Sequence, residues 1–175
     1  MARSLVLTVI GPDQPGLVEA LARAVADHGG SWEESRMARL AGFFAGILEV
    51  RLAAERAPDL IAALEFLGQR GLKVTIEDAP LAVATLEYRV LQLELVGQDR
   101  PGIIREISSA MAAVGVNVVE LETGCSSAPM SGETLFNVTA VLHHPIDRDI
   151  EELRETLEKI AGELMVDIAL DETAD

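Results

Sequence analysis

Three histidines, one cysteine and 29 acidic residues are the raw material for side-chain chemistry in this chain of 175 residues. A closed zinc site draws about four ligands at short, characteristic spacings. His28, His143, His144 and Cys125 are too scattered to supply one, so no metal site is expected. Neighbours on a strand face opposite sides, which sends His143 and His144 apart. His28 falls where a helix closes, and a partial positive charge there complements the helix dipole. Nucleophilic chemistry also lacks its frame. No Gly-x-Ser-x-Gly elbow occurs, and only His143 stands as a conceivable base for Cys125. A free cysteine is most often a small buried hydrophobe, and that is the expectation for Cys125. The adjacent pairs Glu33-Glu34 and Glu151-Glu152 diverge on a strand or a helix alike, and solvated faces account for both. No catalytic residue, no enzyme activity and no cofactor are expected.

What remains is a short stretch that occurs twice. Gly11-Pro12-Asp13-Gln14-Pro15-Gly16 returns as Gly97-Gln98-Asp99-Arg100-Pro101-Gly102. Each is a Gly-x-x-x-x-Gly, but Leu17-Val18 and Ile103-Ile104 stand where a nucleotide-binding loop needs Lys and Ser or Thr. A Walker-type phosphate loop is excluded. Each copy follows an apolar run and opens an amphipathic one, the pattern of a strand turning into a helix. The first backbone N–H groups of a helix are free and carry partial positive charge. Glycine lets a ligand approach the main chain, and such a turn can hold a carboxylate. Gly11, Asp13, Pro15 and Gly16, with Gly97, Asp99, Pro101 and Gly102, are therefore ligand-binding candidates. The competing expectation is structural: Asp13 and Asp99 cap the helices, with Pro15 and Pro101 in the first helical turn.

The elements that must position these turns follow from periodicity. Leu5–Ile10 reads as a buried strand. Leu17, Val18, Leu21, Ala22 and Val25 recur at helical spacing, and Gly29-Gly30 stops that helix. Ser31–Leu40 is polar and charged, as an edge strand is. After a turn at Ala41-Gly42, Phe43–Leu52 is apolar enough for a central strand. Arg56–Asp59, with Pro58, marks a break, then Leu60, Ile61, Leu64 and Leu67 mark a helix, and Leu72–Glu77 alternates as a strand. The order is β-α-β-β-α-β, the ferredoxin-like pattern.

The order then repeats. Gly97, Asp99, Pro101, Gly102 and Gly115 lie at one constant shift from Gly11, Asp13, Pro15, Gly16 and Gly29, the signature of duplication. Strands are expected at Leu86–Val96, Val116–Thr123, Thr134–Leu142 and Met165–Leu170, with helices at Pro101–Val114 and from Asp149. A Ser- and Gly-rich insertion, Gly124–Gly132, reads as a surface loop. The expected organisation is a first domain over 1–79, an apolar connector over 80–85 and a second domain over 86–175, an α+β protein of two tandem ferredoxin-like units with antiparallel sheets. The end, Asp171–Asp175, reads as a frayed acidic tail.

A formal net charge of -15 opposes direct nucleic-acid binding, which is led by phosphate neutralisation, and opposes anionic membrane surfaces. One cysteine allows no intramolecular disulfide, in keeping with a reducing compartment. No run approaches the ~20 apolar residues of a membrane span, and no basic segment precedes an apolar leader. A cytoplasmic protein is the simplest expectation.

A β-α-β-β-α-β repeat whose first helix opens on Gly-x-Asp-x-Pro-Gly resembles the ACT domain. Gly11–Leu17, Gly29, Glu33-Glu34-Ser35-Arg36 and Gly42–Leu48 carry the resemblance in the first half, and the motif returns in frame in the second. Two such domains with no enzyme attached resemble the glycine cleavage system transcriptional repressor family. The resemblance implies a non-enzymatic regulator that responds to an amino acid, glycine being one choice, and acts on a partner transcription activator without touching DNA itself. The alternative is an interaction module that regulates a metabolic enzyme with no small ligand. The resemblance also implies that the ligand lies by the first strand–helix turn at an interface between domains, helped by a polar residue opening the second strand. That residue is Asn117 in the second half and Ser31 in the first, and Asn117 makes the second half the better candidate. Pairing of two chains, as a homodimer, is left open.

Overall fold

A computed structural model describes residues 1–69, 71–79, 87–128 and 132–172. The expected connector, 80–85, lies outside the described residues, as do Leu86, positions 129–131 of the expected loop and positions 173–175 of the expected tail. The chain divides into two compact units, Met1–Val83 and Ala84–Asp175.

In the first unit, β1 (Ala2–Pro12), α1 (Leu17–Asp27), β2 (Ser31–Leu40), β3 (Phe43–Ala53), α2 (Ala57–Gly68) and β4 (Lys73–Asp78) form one antiparallel sheet of order β2-β3-β1-β4. In the second, β5 (Tyr88–Gln98), α3 (Ile103–Ala113), β6 (Asn117–Ser127), β7 (Thr134–Pro145), α4 (Ile150–Leu164) and β8 (Val166–Glu172) repeat that order as β6-β7-β5-β8. Each unit is the expected α+β, β-α-β-β-α-β fold.

The alternation of β1 and β3 puts Leu5, Leu7, Val9, Leu48, Val50 and Leu52 on one sheet face, against Leu17, Leu21 and Val25 of α1 and Leu60, Leu64 and Leu67 of α2. Leu91, Leu93, Leu95, Val138, Ala140 and Leu142 do the same against α3 and α4. Fully burying such a side chain contributes about 1.5–3 kcal/mol, so two aliphatic cores form with few aromatic rings. Both sheets carry their polar strand at an edge, and both edge strands slip register once, at Trp32/Ser35 and at Val118/Glu120. Such a bulge twists an edge away from unwanted pairing. His144 is 1 % exposed, the one buried polar side chain among the described residues. His143 faces the other way and stacks on Tyr88, the ring centroids 3.5 Å apart.

Five expectations are corrected. Asp171 and Glu172 of the expected tail are strand, paired in β8 with Gln92 and Leu91 of β5. The break expected at 56–59 lies earlier. A single 3-10 turn, Ala54–Arg56, precedes α2, and Pro58 sits inside the first turn of that helix, where its missing N–H costs nothing. The segment from Gly124 to Ser127 is strand, not loop, because β6 runs on along β7 to the Ser127–Thr134 pair. Cys125 is consequently exposed on β6 rather than buried. Val18 and Ala22 of the expected apolar stripe face solvent, since Leu17, Leu21 and Val25 already fill the buried face of α1.

Candidate ligand site at the repeated turn

Each turn is built by the end of a central strand. β1 runs to Pro12 and β5 to Gln98, and each then crosses to its first helix. Gly16 and Gly102 are the residues before the helices, at φ 91° and 101°. This left-handed region is one that glycine enters without steric penalty. Neither helix has a side-chain cap. The capping expectation for Asp13 and Asp99 is therefore overturned, as is the placement of Pro15 and Pro101 inside the helix. A left-handed glycine stops the helix from growing backwards, which leaves both Asp and Pro outside it. Backbone bonding begins with Ala20 N–H to Gly16 C=O at 2.9 Å and Glu106 N–H to Gly102 C=O at 3.0 Å, so the earlier N–H groups of α1 and α3 lack an intrahelical acceptor.

The other glycines of the motif answer to packing. A methyl at Gly11 would stand 2.6 Å from the carbonyl oxygen of Gly71, and one at Gly97 would stand 2.3 Å from Cγ1 of Val166. The loop before β4 presses on that spot in the first unit and the first residue of β8 in the second, so neither is open for a ligand to approach.

The two turns differ in their charges. The Asp13 carboxylate accepts a bond from Nε of Arg39 on β2, and Asp13 N–H donates to Gly42 C=O at 2.9 Å. The first turn is thus tied to the tip of the β2–β3 hairpin. In the second, Asp99 N–H donates to Thr134 C=O at 3.0 Å, and the Asp99 side chain is exposed. Nη2 of Arg100 is shielded from solvent with no hydrogen-bond partner. Arg100 was not among the residues that the spacing singled out, and only its replacement of Gln14 between the repeats signals it. Beside the first turn a cavity of about 520 Å³ is lined by Gln14, Pro15, Gly16 and Leu17, with Leu67 and Leu72 from the other side.

Ser31 and Asn117 are not brought to the turns of their own units. Ser31 pairs with Arg51 on β3, whereas Gly11 pairs with Phe44; Asn117 pairs with His143 on β7, whereas Gly97 pairs with Phe136. Seven residues of strand separate each pair of positions, about 23 Å at ~3.3 Å per residue. The cause is topological: the helix carries the chain back to the start of the first strand before the second begins. The same seven residues separate Cys125, opposite Phe136, from His143, so no Cys–His pair forms. Among the described residues no group of three or more His, Cys, Asp or Glu could hold a metal ion, and no helix is long and apolar enough to cross a membrane.

Models of the ACT domain match residues 3–77 and again residues 91–162, and the chain belongs to the ACT-domain family as a tandem pair. Its members are regulatory modules that respond to small molecules, amino acids among them. The chain is similar over 99 % of its length to the whole of a protein of unknown function from Galdieria sulphuraria, at 31 % identity and a TM-score of 0.84. It is also similar over its whole length to 99 % of a candidate glycine cleavage system transcriptional repressor, at 17 % identity and a TM-score of 0.75. At that identity the second likeness speaks for the fold alone. No curated protein matches the chain.

Proposed function

We propose that this chain is a non-enzymatic, cytoplasmic regulator that senses an amino acid at the repeated strand–helix turn and passes the signal to a protein partner. The observation that carries this reading is the uncapped helix start, found in both units, behind a left-handed glycine. Free N–H groups with partial positive charge suit a carboxylate, and among the described residues no side chain fills that role. Asp99, Pro101 and Gly102 form the preferred site, with Asp13, Pro15 and Gly16 as the second; Gly97 and Gly11, crowded by the protein itself, only shape the turns. Ser31 and Asn117 are not part of the site, given their distance from the turns of their own units. Glycine is the first ligand to try and serine the next. A transcription regulator of glycine cleavage is the partner class favoured by the likeness to a candidate repressor of that system.

The test is thermal: the full chain is melted with each common amino acid at millimolar concentration. A rise in melting temperature with one or a few of them is expected, and no rise with any refutes the sensing role. A second reading is supported by the free edges β2 and β6, each about ten residues long. There the chain is an interaction module that engages an enzyme or regulator without a small ligand. Capture of the partner with and without the amino acid separates the two: the first reading requires the amino acid to change capture, and the second leaves capture unchanged.

A further inference from the structure

We propose that the open face of the first unit's sheet, the face turned away from α1 and α2, is where a second copy of this chain docks. This surface is separate from the sensing role, since it uses neither helix start and no amino acid.

Strand alternation sends Ile10 of β1, Leu40 of β2 and Phe43, Ala45 and Ile47 of β3 to that open face. In register, Ile10 stands beside Ala45, Ile47 beside Thr8, and Leu40 beside Phe43. Neighbouring strands lie about 4.8 Å apart, so these side chains form one continuous patch. Leu40 is 80 % exposed, and Phe43, Ile47 and Ile10 are 51, 48 and 47 % exposed. The fold does not require this patch. At the matching places of the second unit, Leu40, Ala45 and Ile47 are replaced by Ser126, Asn137 and Thr139. Around them Thr8, Arg36 and Lys73 are replaced by Glu94, Glu122 and Asp167. A contiguous apolar surface that one copy of a duplicated domain keeps and the other has made polar marks an interaction site.

Shape, charge and area select a second copy as the occupant. Each large side chain at the centre has a smaller one beside it, Ala45 beside Ile10 and Thr8 beside Ile47. A two-fold axis running along the strands between β1 and β3 lays β1 on the partner's β3. Ile10 then meets the partner's Ala45 and Ile47 meets the partner's Thr8, and each contact is made twice, as an isologous interface requires. Stacked sheets pack by such interdigitation. The same axis lays β2 on the partner's β4, which sets Arg36 one row from the partner's Glu77. The face balances Arg36 and Lys73 against Glu49 and Glu77 and so does not repel its copy. The open face of the second unit carries Glu94, Glu120, Glu122, Asp167 and Asp171, with no Lys or Arg among its described residues, and two such faces repel. Four strands ~4.8 Å apart and about eight residues at ~3.3 Å cover roughly 500 Å². Two copies together bury about 1,000 Å², the lower bound for a specific interface, so the dimer is a reversible one.

The experiment is sedimentation velocity of the full chain, from micromolar to submillimolar concentration, on the natural protein and three variants. Ile47→Glu puts a charge at the centre of the patch. Ala45→Asn with Ile47→Thr installs the residues that the second unit carries at the same places, which this fold already accommodates. Thr139→Glu puts the charge at the matching place of the second unit. The natural protein should form a concentration-dependent dimer and Ile47→Glu should stay monomeric. The double variant should dimerise roughly tenfold or more weakly, and Thr139→Glu should dimerise as the natural protein does. Circular dichroism melts check that each variant folds. A natural protein that stays monomeric throughout overturns the proposal, as does an open series of larger species. A dimer that survives in Ile47→Glu or keeps its strength in the double variant lies on another surface and overturns it too, as does one that Thr139→Glu abolishes.

Discussion

Gly97→Ala should destabilise the second unit by about 1–3 kcal/mol, the usual range for overpacking a core. Gly97 lies on β5 between Phe136 of β7 and Val166 of β8, and its backbone is not in the left-handed region, so alanine meets no conformational penalty. The obstacle is contact. The added methyl would stand 2.3 Å from Cγ1 and 2.9 Å from Cβ of Val166, where carbon atoms rest at ~3.5–4.0 Å. Val166 is 7 % exposed and β-branched, with few alternative rotamers, so β8 must shift outward by about an ångström. As an edge strand it can shift, which keeps the effect below outright unfolding. For a unit of this size each kcal/mol lowers the melting temperature by ~4–8 °C. Hydrogen exchange at the β5 and β8 amides assigns the loss to the second unit. Val166→Ala alone should cost ~1–2 kcal/mol from the methyls removed. In the double variant the new methyl occupies vacated space, so the two costs should fall short of additivity by about 1 kcal/mol. Gly97→Ala melting within ~0.5 kcal/mol of the natural protein, with strictly additive costs, would refute close packing as the reason for glycine at this position.

Gly162 of α4 is the opposite case: it is exposed, its backbone lies outside the left-handed region, and a methyl there meets nothing within 4 Å. Gly162→Ala should stabilise the protein by ~0.8–1 kcal/mol, read as a higher melting temperature. Asp149 accepts the N–H of Glu151 at 3.0 Å and caps α4; Asp149→Ala should cost about 0.5–2 kcal/mol in urea unfolding. Arg3 donates to Asp78 at 2.6 and 2.9 Å, and that hydrogen bond holds the Asp78 carboxyl below its usual range. A depressed carboxyl contributes stability that is present above its unfolded pKa of ~3.9 and is lost as pH falls through the lower folded value. Melts of the natural protein and Asp78→Asn should therefore differ at neutral pH and converge in acid. Convergence at neutral pH instead would remove the pair from the stability account.

The fold was legible because periodicity and repetition agreed. Alternation marked the strands, helical spacing marked the helices, and the constant shift between Gly11 and Gly97 showed that the order occurs twice. Errors gathered where a tertiary contact decides. Cys125 reads as buried from composition, but β6 is an edge strand exposed along almost its whole length, and Cys125 with it. Asp13 reads as a cap by residue type, yet the left-handed Gly16 sets the helix start beyond its reach, and Arg39, 26 residues away, takes its carboxylate. The separation of Asn117 from its own turn follows from the crossover and was open to reasoning from topology alone. Arg100 was not legible in this way, since its unmet donor exists only once the chain has folded around it.

The shared and the variable positions of the motif also answer to different demands. Gly11 and Gly97 are explained by the protein atoms that crowd them, and Gly16 and Gly102 by the sign of φ. Those four residues would be required of the fold whether or not anything binds, so their recurrence identifies the family and says little about ligand. Information about function sits in the positions that the fold leaves free: Gln14 against Arg100, and Arg39 against Cys125. Across these two pairs an arginine is lost from the hairpin and one is gained in the turn. Asp13 of the first turn is paired with Arg39, whereas beside the second turn the ion pair is Arg105 with Glu106. The duplicated domain has thus kept its backbone requirements at the turn while rearranging the charges around it.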